Sequence, residues 1–216
     1  MERNTKDFRK ESYRPADIDK ELKLGDKLNT NKNWTLRREV VLKNVRYNMS
    51  ELIAEAKNNE IGTSLAVLKP VEIIDFIWEP CEREWNKQKL DKVIANQSQG
   101  SLFDVQETKR IFKVAKKLPY KFSYVFTTAD GKTRTLMIED WELGMLYWNC
   151  LGNADGDENI ACHKVREKYF EYMVKKCEVY FFLGTTKKFH NVGDNPFIII
   201  GIFYPQKEDK SQLSLF

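Results

Sequence analysis

Residues 120–151 read YKFSYVFTTADGKTRTLMIEDWELGMLYWNCL. In the first eight, Tyr120, Phe122, Tyr124 and Phe126 alternate with Lys121, Ser123, Val125 and Thr127, the period-two pattern of a half-buried strand. Asp130-Gly131 supplies a tight turn, and TRTLMIE returns as a second strand, so the spacing predicts a β-hairpin over about 120–139. Asp140 is then placed to cap a helix that begins at Trp141. Its Leu143, Met145, Leu146, Trp148 and Leu151 are too apolar all round for a surface helix, and Gly152 supplies the stop. A core helix over about 141–151 is predicted.

After the polar loop NADGDE, a second helix is expected over about 157–176, with Glu158 in its first turn and Lys175 and Lys176 in its last, as the helix dipole favours. Val179–Leu183 and Phe197–Tyr204 read as two C-terminal strands, and FIIIGIFY, apolar on both faces, reads as a central one. Upstream, Ser50 is placed to cap a short helix ELIAEAKNN, and VEIIDFIW reads as a strand closed by Glu79-Pro80. The fold class expected is α+β, a single domain with a mixed or antiparallel sheet.

The 216 residues suit one well-buried core, and 42% hydrophobic residues supply it. With 36 basic and 32 acidic side chains the net charge is +4, so contact with a polyanion requires the positive charge to be clustered. The start, MERNTKDFRKESYRP, has no apolar signal core, and no stretch approaches the roughly 20 apolar residues that span a bilayer. A soluble cytoplasmic protein without a membrane partner is expected. Cys81, Cys150, Cys162 and Cys177 form no CxxC pair. A zinc site from Cys150, Cys162, His163 and Cys177 lacks the usual spacing, so free thiols, no metal and no cofactor are expected.

Residues 1–30 alternate charges with few apolar anchors and read as a loosely docked lead-in; 31–205 form the domain, with a polar linker near 95–106; 206–216 read as a flexible tail. That tail ends in Gln212, Leu213, Ser214, Leu215 and Phe216, behind the charged segment KEDKS. A hydrophobic end on a solvated tether is a docking signature; the alternative is a tail that folds back into its own core. QLSLF resembles the pentapeptide by which polymerases and mismatch-repair proteins engage the bacterial sliding clamp, at all five positions. The resemblance implies that Gln212 makes orienting hydrogen bonds, Leu215 and Phe216 fill the apolar pocket, and Ser214 tolerates replacement. The archaeal and eukaryotic motif wants an aromatic pair further downstream, so a bacterial-type clamp is the expected partner. The frame recurs at Gln99, Ser101, Leu102 and Phe103, with Gly100 in place of the leucine, as a weaker second motif or a coincidence.

Three further constellations are candidates. Lys109, Arg110, Lys113, Lys116, Lys117 and Lys121 carry six positive charges without a negative one, beside the aromatic strand, and suit a phosphate backbone with stacked bases. A solvated helix face and a core strand are the plainer reading. Glu139, Asp140 and Glu142 sit where a strand passes into a helix, where carboxylates can hold magnesium for phosphodiester chemistry. Asp140 is already explained as a cap, with Glu142 in the first turn. The loop GTTKKFHNVGDNP offers Gly184, Thr185, Thr186, Lys187, Lys188 and His190 for an anion or a general base, or simply as a turn.

The segments DWELGMLYWNCL, YFFLGTTKKFH and NPFIIIGIFYP, with KPVEIIDFIWEP upstream, resemble those of an uncharacterised family of prokaryotic proteins over about residues 12–205. The likeness implies a shared fold and no particular catalysis. Longer members carry a β-rich N-terminal segment, which implies a truncated start here. The function expected is an accessory protein of bacterial DNA replication, repair or mobile-element maintenance, docked on the clamp by its tail, with DNA as a second candidate partner. A metal-dependent nucleic-acid-processing enzyme using Glu139, Asp140 and Glu142, and a protein-interaction module, are the alternatives.

Overall fold

In the computed structural model, residues 1–14, 25–58, 60, 62–88, 90–91 and 116–207 are described. The fold is α+β. Its strands are β1 (Glu2–Arg3), β2 (Tyr13–Arg14), β3 (Val45–Arg46), β4 (Leu65–Leu68), β5 (Glu72–Pro80), β6 (Tyr120–Thr127), β7 (Thr133–Met137), β8 (Tyr180–Thr185) and β9 (Phe197–Phe203). They form a two-stranded sheet β1-β2, a four-stranded sheet β3-β4-β8-β9 and a three-stranded sheet β5-β6-β7. The helices are α1 (Asn31–Val41), α2 (Met49–Lys57), α3 (Trp141–Asn153) and α4 (Glu158–Arg166); α4 continues through a π segment, Glu167–Tyr172, into α5 (Met173–Lys176). No described helix is long and apolar enough to cross a membrane.

The hairpin β6-β7 pairs Tyr124 with Leu136 and Thr127 with Thr133, and Gly131 holds the turn at φ 72, a conformation open to glycine. The inward face of β6 buries Phe122, Tyr124 and Phe126, which pack on Phe76, Phe181 and Tyr147. Each fully buried ring of this kind contributes about 1.5–3 kcal/mol relative to exposure. These rings are core, so the predicted base-stacking strand is not available to a ligand. Arg166 ties α4 to β5 through the carbonyl of Phe76 and through Asp75, 2.7 Å away.

Four local expectations are corrected. The α2 cap is Asn48, whose Oδ1 accepts from the N–H groups of Ser50 and Glu51, while Ser50 Oγ donates to Asp130 at 2.6 Å. Helix α3 is not buried all round: Leu143 and Tyr147 face the core, but Trp141 is 69% exposed and Met145 is exposed too. Strand β9 closes the four-stranded sheet rather than lying at its centre. Among the described residues its outer edge meets the continuation of β7, where the Glu139 N–H donates to the Ile199 carbonyl at 2.7 Å, and Ile200 faces solvent. The apolar residues on its second face line open grooves, one of about 790 Å³ beside α1.

The fourth correction concerns the lead-in, whose first 14 residues are tied down. Asp7 is buried against Arg9 at 2.6 Å, and Arg9 also donates to the Thr185 carbonyl at 2.6 Å. Glu11 accepts from the Ser64 hydroxyl at 2.6 Å. Alternating charge reads as solvated, yet here opposite charges two residues apart pair and occupy backbone groups at the strand ends.

The chain divides into two compact units, Met1–Ile77 with Phe122–Phe216, and Trp78–Lys121. Within the second unit the Cys81 N–H donates to the Pro119 carbonyl at 2.9 Å, and Lys117 lies 3.5 Å from Glu82 and 5.9 Å from the centre of the Trp85 ring.

Candidate functional site

The loop after β8 does not form the predicted base or anion site. His190 is 2% exposed, its Nδ1 lies 2.8 Å from Thr185 Oγ1, and its ring also bonds the Ala56 backbone. Phe8 packs over it with centroids 5.4 Å apart. Burial lowers its pKa, so it is a neutral structural imidazole with no route to a substrate proton. Gly184 is explained by packing, since a Cβ there would meet Ile200 Cδ1 at 3.0 Å. Lys187 donates to the Lys6 carbonyl at 2.8 Å.

The carboxylates at the β7–α3 junction diverge in role. Asp140 accepts from the Glu142 N–H at 3.0 Å as the α3 cap, while Glu139 and Glu142 are exposed. No group of three His, Cys, Asp or Glu side chains among the described residues is arranged to hold a metal ion. The metal-dependent reading of Glu139, Asp140 and Glu142 therefore lacks its donor set. Cys162 and Cys177 are buried free thiols, and burial raises the pKa of Cys162 to about 12, so it is inert.

A different cluster assembles where the end of β4, the start of β8, α1 and the segment after β9 converge. Pairing of Leu68 with Phe181 sets Lys69 beside Tyr180, and the Cys177–Gln206 bridge brings Lys207 to the end of α5. Helix α1 is fastened by Trp34 against Phe203 and Tyr204, and by Asn33, which exchanges hydrogen bonds of 2.9 and 2.8 Å with the Gln206 backbone. That anchorage aims Arg38 at the same place. Arg38 Nη1 and Lys69 Nζ both lie 3.8 Å from Glu178 Oε2, and the Tyr180 hydroxyl donates to that oxygen at 2.9 Å. Lys69 Nζ also sits 4.1 Å above the Tyr180 ring.

Among the described residues the cluster joins Arg38, Lys69 and Lys207 to Glu178, and Arg38 also donates to the Asn33 and Gln206 carbonyls at 3.1 and 2.8 Å. Burial lowers the Lys69 pKa; Glu178 pulls it up, and Arg38 and Lys207 push it down. Burial, then Glu178, raises Tyr180 to about 12, which keeps its hydroxyl a donor. Lys207 Nζ donates to the Lys175 carbonyl at 2.9 Å, so it also serves the C-terminus of α5.

Residues 45–216 match the model of a family described as a domain of unknown function, DUF8757. The chain belongs to that family. No curated protein and no solved structure matches it. Of the cluster, Lys69, Glu178, Tyr180 and Lys207 lie within the DUF8757 match, and Arg38 precedes it. The match also includes the tail and the basic run.

Within the DUF8757 region, Gln212, Leu213, Ser214, Leu215 and Phe216 lie outside the described residues, as do Gln99, Ser101, Leu102 and Phe103, and Lys109, Arg110 and Lys113. Of the remaining basic run, Lys116 and Lys121 are exposed and Lys117 engages Glu82. Sequence reading missed the Arg38–Lys69–Glu178–Lys207 cluster. Its members are far apart in the sequence, and strand pairing together with the anchorage of α1 brings them together.

Proposed function

We propose that this chain is an accessory protein of bacterial DNA replication, repair or mobile-element maintenance, tethered to the sliding clamp by Gln212–Phe216. The observation that carries the reading is the match of QLSLF to the clamp-binding pentapeptide at all five positions. Gln206 and Lys207, the last described residues before the peptide, are exposed. Four residues separate Lys207 from Gln212, so the two can stand at most about 18 Å apart along an extended chain.

A short linear peptide loses conformational entropy on binding, so an affinity in the micromolar range, about −8 kcal/mol, is expected. The test titrates a bacterial sliding clamp against the full chain and against a variant ending at Ser211, with thermal melting of both. The truncated variant should lose clamp binding and melt with the full chain. Equal clamp affinity, or a large fall in melting temperature, would return the tail to the core.

A further inference from the structure

We propose that the groove of about 790 Å³ between α1 and β9 receives the chain's own Gln212–Phe216 peptide, so that a sliding clamp has to displace it. The inference rests on the clamp-tethered reading for the role of the peptide, and adds its regulation. Three observations carry it. The first is the groove itself, lined by Leu28, Trp34 and Val40 from the α1 side and by Phe182, Ile202 and Tyr204 from the sheet side. Val40 is 55% exposed and Leu28 41%, so apolar surface stands open there. The volume falls within the roughly 300–1,000 Å³ of apolar sites that enclose a ligand.

The second is the place where the tail leaves the fold. Tyr204 lines the groove, and two residues later Gln206 exchanges hydrogen bonds with Asn33 at the start of α1. The tail therefore departs from the rim of the groove. Trp34 to Val41 is seven residues of helix, a wall about 10 Å long, and the spacer from Lys207 to Gln212 reaches at most about 18 Å. A spacer longer than the wall lets the peptide reach any point along it. The third is chemistry. Leu213, Leu215 and Phe216 offer three apolar side chains to an apolar groove, and Lys27 and Arg37, which also line it, are opposite in sign to Glu208 and Asp209 of the spacer. Asp140 and Glu142, the acidic residues of the lining, are opposite in sign to Lys210.

A peptide on so short a tether meets the groove at a local concentration of about a millimolar, so weak affinity is enough to fill it. Clamp binding then needs the undocked form. With about two docked molecules for each free one, the affinity of the chain for the clamp is about a third of that of the free peptide. The same ratio stabilises the fold by RT ln 3, about 0.65 kcal/mol, or about 1–3 °C in melting temperature, which is far short of the loss of a core segment.

The experiment records the amide resonances of Leu213, Ser214, Leu215 and Phe216 by NMR in the full chain and in a synthetic peptide of residues 208–216, then titrates clamp into each. Val40→Asp places a carboxylate in the groove at an exposed position. The wild-type resonances should be displaced from those of the peptide. Val40→Asp should return them toward the peptide values and tighten clamp binding by the chain about threefold. Identical resonances in the wild-type chain and the peptide overturn the proposal. So do displacements that grow with protein concentration, which would seat the tail on a second copy, and displacements that survive Val40→Asp, which would seat it elsewhere. If Val40→Asp does not fold, Leu28→Asp in the same groove gives the same readout. The resonances are recorded before clamp is added, so a peptide that fails to bind clamp defeats the clamp reading and leaves the groove to be decided by the spectra.

Discussion

The Tyr124 hydroxyl donates a 2.6 Å hydrogen bond to the backbone carbonyl of Tyr169, inside the π segment that joins α4 to α5. A π turn displaces its carbonyls from the regular helical ladder, and a buried carbonyl without a partner costs about 1–3 kcal/mol. The central strand of the hairpin sheet thus holds the irregular turn of the α4–α5 run in place. Burial pushes the Tyr124 pKa well up, which keeps the donor proton on at any working pH.

Tyr124→Phe keeps the ring and removes the donor. We expect a loss of about 2 kcal/mol in denaturant unfolding, without a change in the slope of stability against denaturant. A loss below about 0.5 kcal/mol would show that the π segment supports itself.

The α3 cap separates structural from catalytic carboxylates. Asp140→Ala should cost about 1 kcal/mol, and Asp140→Asn much less, because asparagine caps equally well. Glu139→Ala and Glu142→Ala, both at exposed positions, should change stability by no more than about 0.5 kcal/mol. Magnesium-dependent DNA cleavage that disappears with Glu139→Ala would contradict this assignment and restore an enzymatic role.

The hairpin and the helices after it were legible because their signals are local: strict alternation, an Asp-Gly turn, Asp140 at a cap position, Glu158 in a first turn and lysines in a last one. What failed was relational. FIIIGIFY has the composition of a central strand, but its second face lines an open groove, and composition alone cannot tell a groove from a core. Helix α1 escaped notice because NKNWTLRREVV has weak apolar periodicity, and its seat depends on Trp34 meeting β9 some 170 residues later. His190 looked like a loop base because sequence does not show Phe8 above it. The cation cluster was invisible for the same reason, its members being joined by strand pairing and by the seat of α1.

Arg134 and Asp130 pair at 2.6 Å, both mostly buried, with Ser50 and Thr128 completing the carboxylate's hydrogen bonds. The Arg134 hydrogen bond, opposed by burial and assisted by Ser50 and Thr128, holds the Asp130 pKa well below the usual carboxylate range. Asp130→Ala leaves a buried guanidinium unpaired and should cost about 3 kcal/mol. A folded pKa below the unfolded value means stability present above about pH 4 and lost as pH falls toward the folded pKa. Acid unfolding of the wild type should steepen below about pH 4, and Asp130→Asn should flatten that limb; identical acid limbs would remove the pair from the stability of the turn.

His190 provides the opposite window. Its folded pKa is lowered, chiefly by burial, so the unfolded chain binds the proton more readily than the folded one. The sign follows directly: its contribution is intact above the unfolded pKa of about 6.5 and is lost as pH falls from there toward the folded value. The difference in melting temperature between wild type and His190→Gln, followed between about pH 7 and pH 5, should report His190. We expect wild-type stability to fall over that interval. His190→Gln should lower stability at pH 7 by about 1–3 kcal/mol, because Thr185 and the Ala56 backbone lose their partner, and should abolish the pH dependence. Phe8→Ala, which uncovers the ring, should keep a pH dependence but shift it toward the ordinary histidine range. A melting temperature flat from pH 7 to pH 5 in the wild type would mean that the imidazole is hydrated despite its cover, and would loosen the lead-in from the core.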